Sequence, residues 1–190
     1  NNLPLIAHII FRLDVGGLEN GLVNILNRLP QDRYRHVIIC LKDYSDFSKR
    51  ITAKNVSFIA MNKKEGKDLG CYFRMWKLLR QLKPAIVHTR NLPALDMVVP
   101  AFFAGVPVRI HGEHGRDMID IDGSNIKYQR LRRILSPLIN RFIALSDDLF
   151  YWLKDDVKIS DSKIVKICNG VDSDRFAPQS KSNGSDPIDL

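Results

Sequence analysis

The sequence has no apolar run near the length of a membrane span and only three cysteines among its 190 residues. A spanning helix needs about 20 consecutive apolar residues, and the first residues lack the basic start and cleavage site of an export signal. We therefore expect neither a membrane span nor export. Cys40, Cys71 and Cys168 are odd in number and far apart, which excludes a disulfide framework and a CxxC metal knuckle. Their apolar surroundings predict reduced thiols in the core.

Acidic residues are in the minority, with 21 Asp and Glu against 29 Lys and Arg, and the formal net charge is +8. Such a surplus attracts phosphates, nucleic acid or anionic lipid without selecting one of them. The sequence carries no RRM, KH, zinc-finger or basic-zipper signature, so we expect no nucleic-acid partner. The remaining composition, 45% hydrophobic and 26% charged, is typical of one well-packed domain.

Short apolar runs alternate along the chain with segments in which apolar residues recur at helical spacing. The run 5–11 is typical of a strand buried on both faces of a parallel sheet, and apolar residues recur at helical spacing over 18–29. Further strands are predicted at 36–41, 57–60, 85–88, 107–111, 141–145 and 163–167, and further helices at 69–82, 93–104, 131–138 and 146–153. This pattern predicts a doubly wound, Rossmann-like α/β domain over residues 1–178, with a parallel sheet of about seven strands.

A glycine pair, Gly16 and Gly17, follows the first predicted strand. Ligands of such sheets collect beyond the carboxyl ends of the strands, and glycines at a helix N-terminus let backbone N–H groups approach an anion. Glycines at 16, 17 and 21 do not fit the dinucleotide fingerprint, and Leu22-Val23 replaces the Lys and Ser or Thr of the P-loop. A P-loop NTPase is excluded. The alternative to a phosphate site is a tight strand-to-helix turn.

A second polar segment follows the fifth predicted strand. It holds two imidazoles, two carboxylates and a guanidinium, namely His111, Glu113, His114, Arg116 and Asp117. These groups are costly to bury, and a strand-end loop is where an α/β enzyme keeps its polar side chains. A zinc site is the minor alternative, because the two histidines are three residues apart in a glycine-rich loop rather than four apart on a helix. His88 and Arg90 lie at the end of another strand, whereas His8 and His36 are predicted to be structural.

Three segments stand out by their order and spacing. They are Gly16-Gly17-Leu18-Glu19, Ala144-Leu145-Ser146, and Asn169-Gly170-Val171-Asp172 with Arg175-Phe176. Together they resemble the N-terminal half of a retaining GT-B glycosyltransferase of the large group 1 family. The run 111–117 resembles a subset of that family associated with bacterial exopolysaccharide or lipid-linked sugar assembly.

The resemblance implies half of a GT-B fold, in which two Rossmann-like domains face each other across a cleft. This half mainly takes the acceptor, and the other takes the nucleotide-sugar donor. The implied activity is hexosyl transfer with retention, from a nucleotide-sugar to a saccharide or lipid-linked acceptor. The polar segment 179–190 then predicts a linker towards a missing C-terminal domain, so the isolated fragment is expected to be inactive.

The resemblance also assigns roles to residues. His114, with His111 second, carries over as the catalytic histidine that orients the sugar. Backbone donors at Gly16 and Gly17 would stabilise the charge that develops on the donor diphosphate, so no metal cofactor is expected. The acceptor-binding candidates are Glu113, Arg116, Asp117, His88, Arg90 and Asn169.

Two other classes remain open. A nucleotide-cofactor oxidoreductase would need an acidic residue after the second strand, and Asp43 is loosely placed for that role. A basic anion- or lipid-binding module is suggested by segment 127–141, which has five cations and no acid. We expect its apolar face (Leu131, Ile134, Leu135 and Leu138) to pack on the sheet and its cations (Lys127, Arg130, Arg132, Arg133 and Arg141) to face outward. The protein would then be cytoplasmic and bind the anionic inner surface of the membrane peripherally.

Overall fold

Seven parallel strands form the centre of this computed structural model, which describes residues 3–66, 68–115, 120–168 and 170. Within these residues the strands are β1 (Leu5–Ile10), β2 (Arg35–Cys40), β3 (Val56–Ala60), β4 (Ile86–Arg90), β5 (Val108–Glu113), β6 (Arg141–Ala144) and β7 (Ile164–Lys166). Their order is β3-β2-β1-β4-β5-β6-β7, and each neighbouring pair is parallel. The predicted doubly wound, Rossmann-like sheet is therefore confirmed.

Helices cover the sheet because each one has an apolar face. They are α1 (Gly17–Arg28), α2 (Leu69–Leu82), α3 (Leu92–Leu95), α4 (Val98–Phe103), α5 (Ile126–Leu135) and α6 (Asp147–Tyr151), the last continuing as a π-helical turn over Trp152–Asp156. Helix α1 buries Leu22, Val23 and Leu26 against β1 and β2. Helices α2 and α4 pack together and bury a second core. Burying these faces supplies most of the drive to fold.

The prediction of a single helix over 93–104 is wrong, because the chain forms two short helices there. Helix α3 ends at Leu95, and α4 begins at Val98. Pro100 explains the break: it has no N–H to bond to the carbonyl of Asp96, and its ring clashes with a carbonyl in that position.

The sheet changes its winding direction between β1 and β4. Connections from β1 lead towards β3, and connections from β4 lead towards β7. The loops that follow β1 and β4 therefore diverge at the carboxyl edge, which is where open α/β sheets hold their ligands. The register places His8 beside His88 on the two neighbouring strands, and Arg90 beside Gly112 on β4 and β5.

The cysteine prediction holds for two of the three thiols. Cys40 and Cys71 are buried, whereas Cys168 is exposed. Cys168 follows β7, which has a neighbour on one side only, and the nearby Val165 and Ile167 are exposed as well. An apolar run at a sheet edge thus does not guarantee a core position.

No helix in the described ranges combines the length and the apolarity needed to cross a membrane. The predicted linker at 179–190 lies outside the described residues, and so does most of the Asn-Gly-Val-Asp segment.

Candidate active site at the carboxyl edge of the sheet

The loop after β1 brings Gly16 and Gly17 to the start of α1. Gly16 is the N-cap residue, and its carbonyl accepts a hydrogen bond from Asn20 N at 2.9 Å. A Cβ at Gly17 would meet open space, whereas a Cβ at Gly16 would collide with the carboxylate of Glu19. The helix N-terminus, which favours negative charge, is therefore covered by a carboxylate of its own chain. Burial, with the nearby charge of Asp14, raises the pKa of Glu19.

Asp43 lies near this loop and is already paired. Arg12 donates from Nη2 to Asp43 Oδ2 at 2.9 Å and from Nε to Oδ1. A dinucleotide cofactor would need a free carboxylate here to hold a ribose hydroxyl. Asp43 is thus held by Arg12, which weakens the oxidoreductase alternative that depended on it.

Arg90, the last residue of β4, is held by a chain of histidines that crosses three strands. Its Nη1 is 3.1 Å from Nδ1 of His8, and Nε2 of His8 is 3.1 Å from Nδ1 of His36. A guanidinium can only donate, so Nδ1 of His8 accepts from it. Nε2 of His8 then carries the proton and donates to His36. The chain fixes the direction of Arg90, and the buried His8 and His36 fit the structural role predicted for them.

The electrostatics of this cluster are one-sided. Arg90 is 4% exposed, and no acidic side chain of the described residues pairs with it. Burial lowers the pKa of Arg90 to about 10, so it stays charged at neutral pH. Burial, followed by the charge of Arg90, lowers the pKa of His8 and His88 well below the usual value and that of His114 to about 3. One cation is thus surrounded by three neutral imidazoles.

Two imidazole nitrogens of this cluster have no partner and converge above Gly112. Nε2 of His88 and Nε2 of His114 are both buried without a hydrogen bond among the described residues. A Cβ on Gly112 would lie 2.9 Å from the first atom and 2.8 Å from the second. Glycine is therefore needed at 112 because the two rings occupy the space of a side chain.

Asn91 positions His114 and was not predicted from the sequence. Its Oδ1 accepts a hydrogen bond from His114 N at 2.8 Å, and its own N–H donates to Gly112 O at 2.9 Å. Its φ of 55° is rare for a residue other than glycine, and such strain is often found at functional sites. Gly115, at φ 138°, lets the chain turn after His114. Asn91 follows a β-strand in the sequence, but nothing in the pattern indicates its backbone conformation.

His111 and Glu113 lie on the other face of β5 and are inaccessible. His111 bonds through Nδ1 to Thr89 Oγ1 at 2.8 Å and through Nε2 to Glu113 Oε1 at 3.1 Å. Arg132 of α5 donates from Nε and Nη2 to the two Glu113 oxygens at 2.5 and 3.2 Å. Burial raises the pKa of Glu113, but His111 and Arg132 outweigh it and lower the pKa to about 2. His111 and Glu113 were expected to touch a substrate. These contacts instead place both side chains in a buried network that supports the loop.

The expected orientation of α5 needs correction in two places. Arg132 is 2% exposed and paired with Glu113 rather than facing outward, while Ile134 is 71% exposed rather than packed on the sheet. Helical spacing brings Ile126, Arg130 and Ile134 to one exposed side. Arg133 donates to the carbonyls of Val157 and Asp156. Arg132 turns inward because the buried carboxylate of Glu113 needs a partner. This pairing outweighs the outward orientation that the helical pattern predicts for Arg132.

The remaining site predictions divide into two groups. His88, Arg90 and His114 are brought together, and Gly16 and Gly17 lie on the neighbouring loop at the same edge of the sheet. Arg116, Asp117 and Asn169 lie outside the described residues. Within the described ranges, no group of three or more His, Cys, Asp or Glu side chains could hold a metal ion.

Residues 15–175 match Glycosyltransferase Family 4, which covers most of the chain. The chain belongs to this family. A curated relative, the UDP-Gal:α-D-GlcNAc-diphosphoundecaprenol α-1,3-galactosyltransferase of Escherichia coli, is 27% identical over 186 residues. The match covers 91% of this chain and 46% of that protein, so the chain spans about half the length of the relative.

Solved structures of glycosyltransferases share the fold. A glycosyltransferase from Rickettsia africae is similar with a TM-score of 0.73 and 22% identity, over 96% of this chain and 47% of that one. Anabaena Alr3699/HepE in complex with UDP-glucose gives a TM-score of 0.70 and 15% identity, over 90% and 45%. The predicted resemblance to a GT-B glycosyltransferase domain is confirmed, at the level of family and fold.

Proposed function

We propose that this chain is the acceptor-side half of a retaining glycosyltransferase, which moves a hexosyl group from a nucleotide-sugar to a saccharide or lipid-linked acceptor. The observation that carries the proposal is the cluster of Arg90, His88 and His114 at the winding change of a Family 4 domain. The relatives are about twice as long, which supports a second domain in the full-length enzyme. We propose that this second domain makes most of the donor contacts. No metal is required by the proposed chemistry.

The reaction breaks the bond between the anomeric carbon and a diphosphate oxygen. A new bond forms from the acceptor oxygen to the same carbon, the hydroxyl proton leaves, and the bond electrons go to the diphosphate. Positive charge develops on the sugar ring and negative charge on the leaving group. Gly17 and its neighbours offer N–H donors to the leaving group at the helix N-terminus.

His114 has the protonation state that this chemistry needs. Its pKa of about 3 keeps the imidazole neutral, so the ring can form a hydrogen bond with a sugar hydroxyl. An imidazolium in the same place would repel the positive charge developing on the sugar. Arg90 contributes to this state through its charge, and Asn91 fixes the loop. We assign the sugar-orienting role to His114 and acceptor contacts to Arg116, Asp117 and Asn169.

Sugar transfer in the full-length enzyme tests the proposal directly. UDP-sugars are supplied with a sugar-diphosphate lipid acceptor, and the anomeric configuration of the product is determined by NMR. The proposal expects retained configuration. His114→Ala should lower kcat about 100-fold with little change in KM for the donor, because the contact is made mainly in the transition state. Hydrolysis or epimerisation of the nucleotide-sugar without transfer would contradict the proposal.

An anionic membrane surface is the proposed location of a lipid-linked acceptor. The exposed side of α5 carries cations beside isoleucines, namely Ile126, Lys127, Arg130 and Ile134. Cations attract anionic headgroups, and exposed apolar side chains can enter the interface between headgroups and acyl chains. Salt should weaken the attraction, because the cations are exposed to solvent.

Flotation with vesicles tests this surface. A Lys127→Glu, Arg130→Glu variant should lose binding to anionic vesicles at low salt, whereas the wild type should float with them and detach at high salt. Lys49→Glu, Lys54→Glu is the matched control. Both lysines are exposed near β3, the edge strand at the other end of the sheet from β7. Equal flotation of all three proteins would contradict a role for α5.

A further inference from the structure

The described residues include a buried cation, Arg90, that has no counter-ion among them. Arg90 is 4% exposed, its Nε has no acceptor, and no acidic side chain in the described ranges pairs with it. A buried charge is normally paired, since leaving water costs several kcal/mol. Among the described residues, the guanidinium of Arg90 hydrogen-bonds to a neutral imidazole, His8.

The neighbours of Arg90 add hydrogen-bonding capacity without adding charge. Nε2 of His88 and Nε2 of His114 converge above Gly112 and have no partners in the described part of the chain. Both residues are partly exposed, whereas their Nε2 atoms are buried, so an anion reaches these atoms only by displacing part of the cover over them. Neutral imidazoles can donate one hydrogen bond each. Each ring donates from Nε2 in the tautomer that carries its proton there, and no carboxylate of the described residues pairs with the cluster.

We propose that Arg90, His88 and His114 form a phosphoryl-binding subsite above Gly112, which receives a diphosphate oxygen of a substrate. A phosphoryl group supplies the negative charge that balances Arg90. Its oxygens can accept the parallel hydrogen bonds that a planar guanidinium donates. The hydroxyl contact proposed for His114 brings no charge, so it does not compensate Arg90. The His8–His36 chain holds the guanidinium in place before the ligand arrives.

The N-terminus of α1 is the less suitable of the two anion sites in this conformation. Glu19 covers Gly16 there, and Asp14 is close to it. An anion at α1 would have to displace or approach these carboxylates, whereas an anion at Arg90 meets none in the described residues. The subsite deepens the proposed function, and it rests on that function for the identity of the anion: the diphosphate of the nucleotide-sugar, or that of a lipid-linked acceptor.

NMR of arginine side chains tests the subsite without an activity assay. The chain is titrated with inorganic pyrophosphate while the Nε–H signal of Arg90 is followed. We expect a saturable shift of this signal. Arg90→Gln and Gly112→Ala should each weaken pyrophosphate binding about tenfold or more, because hydrogen bonds to charged groups contribute that much. Arg33→Gln, an exposed cation before β2, is the matched control and should bind within about twofold of the wild type.

Folding and binding are separated by the choice of variants. Gly112→Ala keeps every polar group, but its Cβ would lie within 3 Å of both Nε2 atoms and displace the two imidazoles. Thermal unfolding shows whether each variant is folded. If both variants unfold, the Arg90 signal of the wild-type chain decides alone. An Arg90 signal that does not move at saturating pyrophosphate, or equal binding by folded Gly112→Ala, overturns the inference.

Two further probes separate the sources of the diphosphate. UDP represents the donor, and a short isoprenyl diphosphate represents the acceptor. The probe that moves the Arg90 signal and competes with pyrophosphate identifies the source, and movement by neither overturns the subsite. Pyrophosphate binding at Arg90 in an enzyme without transferase activity would keep the inference and contradict the proposed function.

Discussion

Two loops at the same edge of the sheet are built in opposite ways. The loop after β1 offers backbone N–H donors at Gly16 and Gly17, and it places the carboxylate of Glu19 over them. The ends of β4 and β5 offer a buried guanidinium and unpartnered imidazoles, with no carboxylate among the described residues that faces Arg90. The first site is open and self-neutralised, and the second is enclosed and positively charged.

The difference shows how one domain can separate two tasks. An open helix N-terminus with a removable carboxylate can admit and release an anion, because little structure depends on it. An enclosed cation held by a histidine chain keeps its geometry and lowers the pKa of neighbouring imidazoles. Preorganised charge of this kind stabilises charge that develops during a reaction. Under the proposed function, we therefore expect ligands to exchange at the first loop and to be oriented at the second.

The largest expected effect comes from removing the support below the second site. Glu113→Ala leaves Arg132 buried without its carboxylate, which costs about 3–5 kcal/mol. The melting temperature should fall by roughly 10 °C for a domain of this size, as measured by calorimetry. Asp43→Ala removes the exposed partner of Arg12 and is the control, because exposed ion pairs contribute little. Equal melting of the two variants would show that the Glu113 cluster does not support the fold.

Acid should reveal the same cluster without a mutation. The pKa of Glu113 is lowered from 4.5 to about 2 in the folded protein. The carboxylate therefore stabilises the fold fully above its ordinary pKa, and this contribution is lost as the pH falls from about 4.5 towards 2. Stability measured in denaturant should decline over that window in the wild type and less steeply in Glu113→Ala. Parallel curves would contradict the assignment.

The first loop should respond in activity rather than in stability. A side chain at Gly17 enters open space in this structure, so Gly17→Val should melt within a few degrees of the wild type. It would block the approach of a diphosphate, and transfer by the full-length enzyme should fall about 100-fold or more. Gly21→Val, one turn further along α1 and equally open, is the matched control and should retain turnover. Similar turnover of both variants would remove the donor from this loop.

A smaller effect is expected at Asn91, which positions His114 through Oδ1. Asn91→Gly tolerates the positive φ but loses the acceptor, and we expect kcat to fall about tenfold with KM nearly unchanged. Asn91→Asp keeps an acceptor and adds a negative charge that raises the pKa of His114. The acid limb of its pH–kcat profile should therefore move to higher pH. A lower melting temperature with an unchanged profile would show a purely structural role.

Much of the fold could be predicted from the sequence, and less of the site. Each of the seven predicted strands is present within a few residues, since buried parallel strands are continuous apolar runs. His88, Arg90 and His114 were identified as site candidates because each follows or ends a predicted strand, but their convergence above Gly112 was not predicted. The pairing of Glu113 with Arg132 joins β5 to α5 across 19 residues, and no local pattern encodes it. The backbone of Asn91 and the position of Glu19 also depend on tertiary contacts.

The smallest expected effect concerns Glu19, and it decides whether the first loop is self-neutralised in solution. Glu19→Gln keeps the shape of the side chain and removes its charge from the N-terminus of α1. The helix N-terminus contributes about 0.3–1 kcal/mol to an anion bound there, and Glu19 competes with an incoming anion for this contribution. KM for the nucleotide-sugar should therefore fall about twofold to fivefold. Asp46→Asn, an exposed acid at the start of the 3₁₀ turn Asp46–Arg50, controls for a general change of charge. If KM rises instead, Glu19 binds the substrate itself. The two loops would then differ in how they bind sugar hydroxyls rather than in how they bind phosphate.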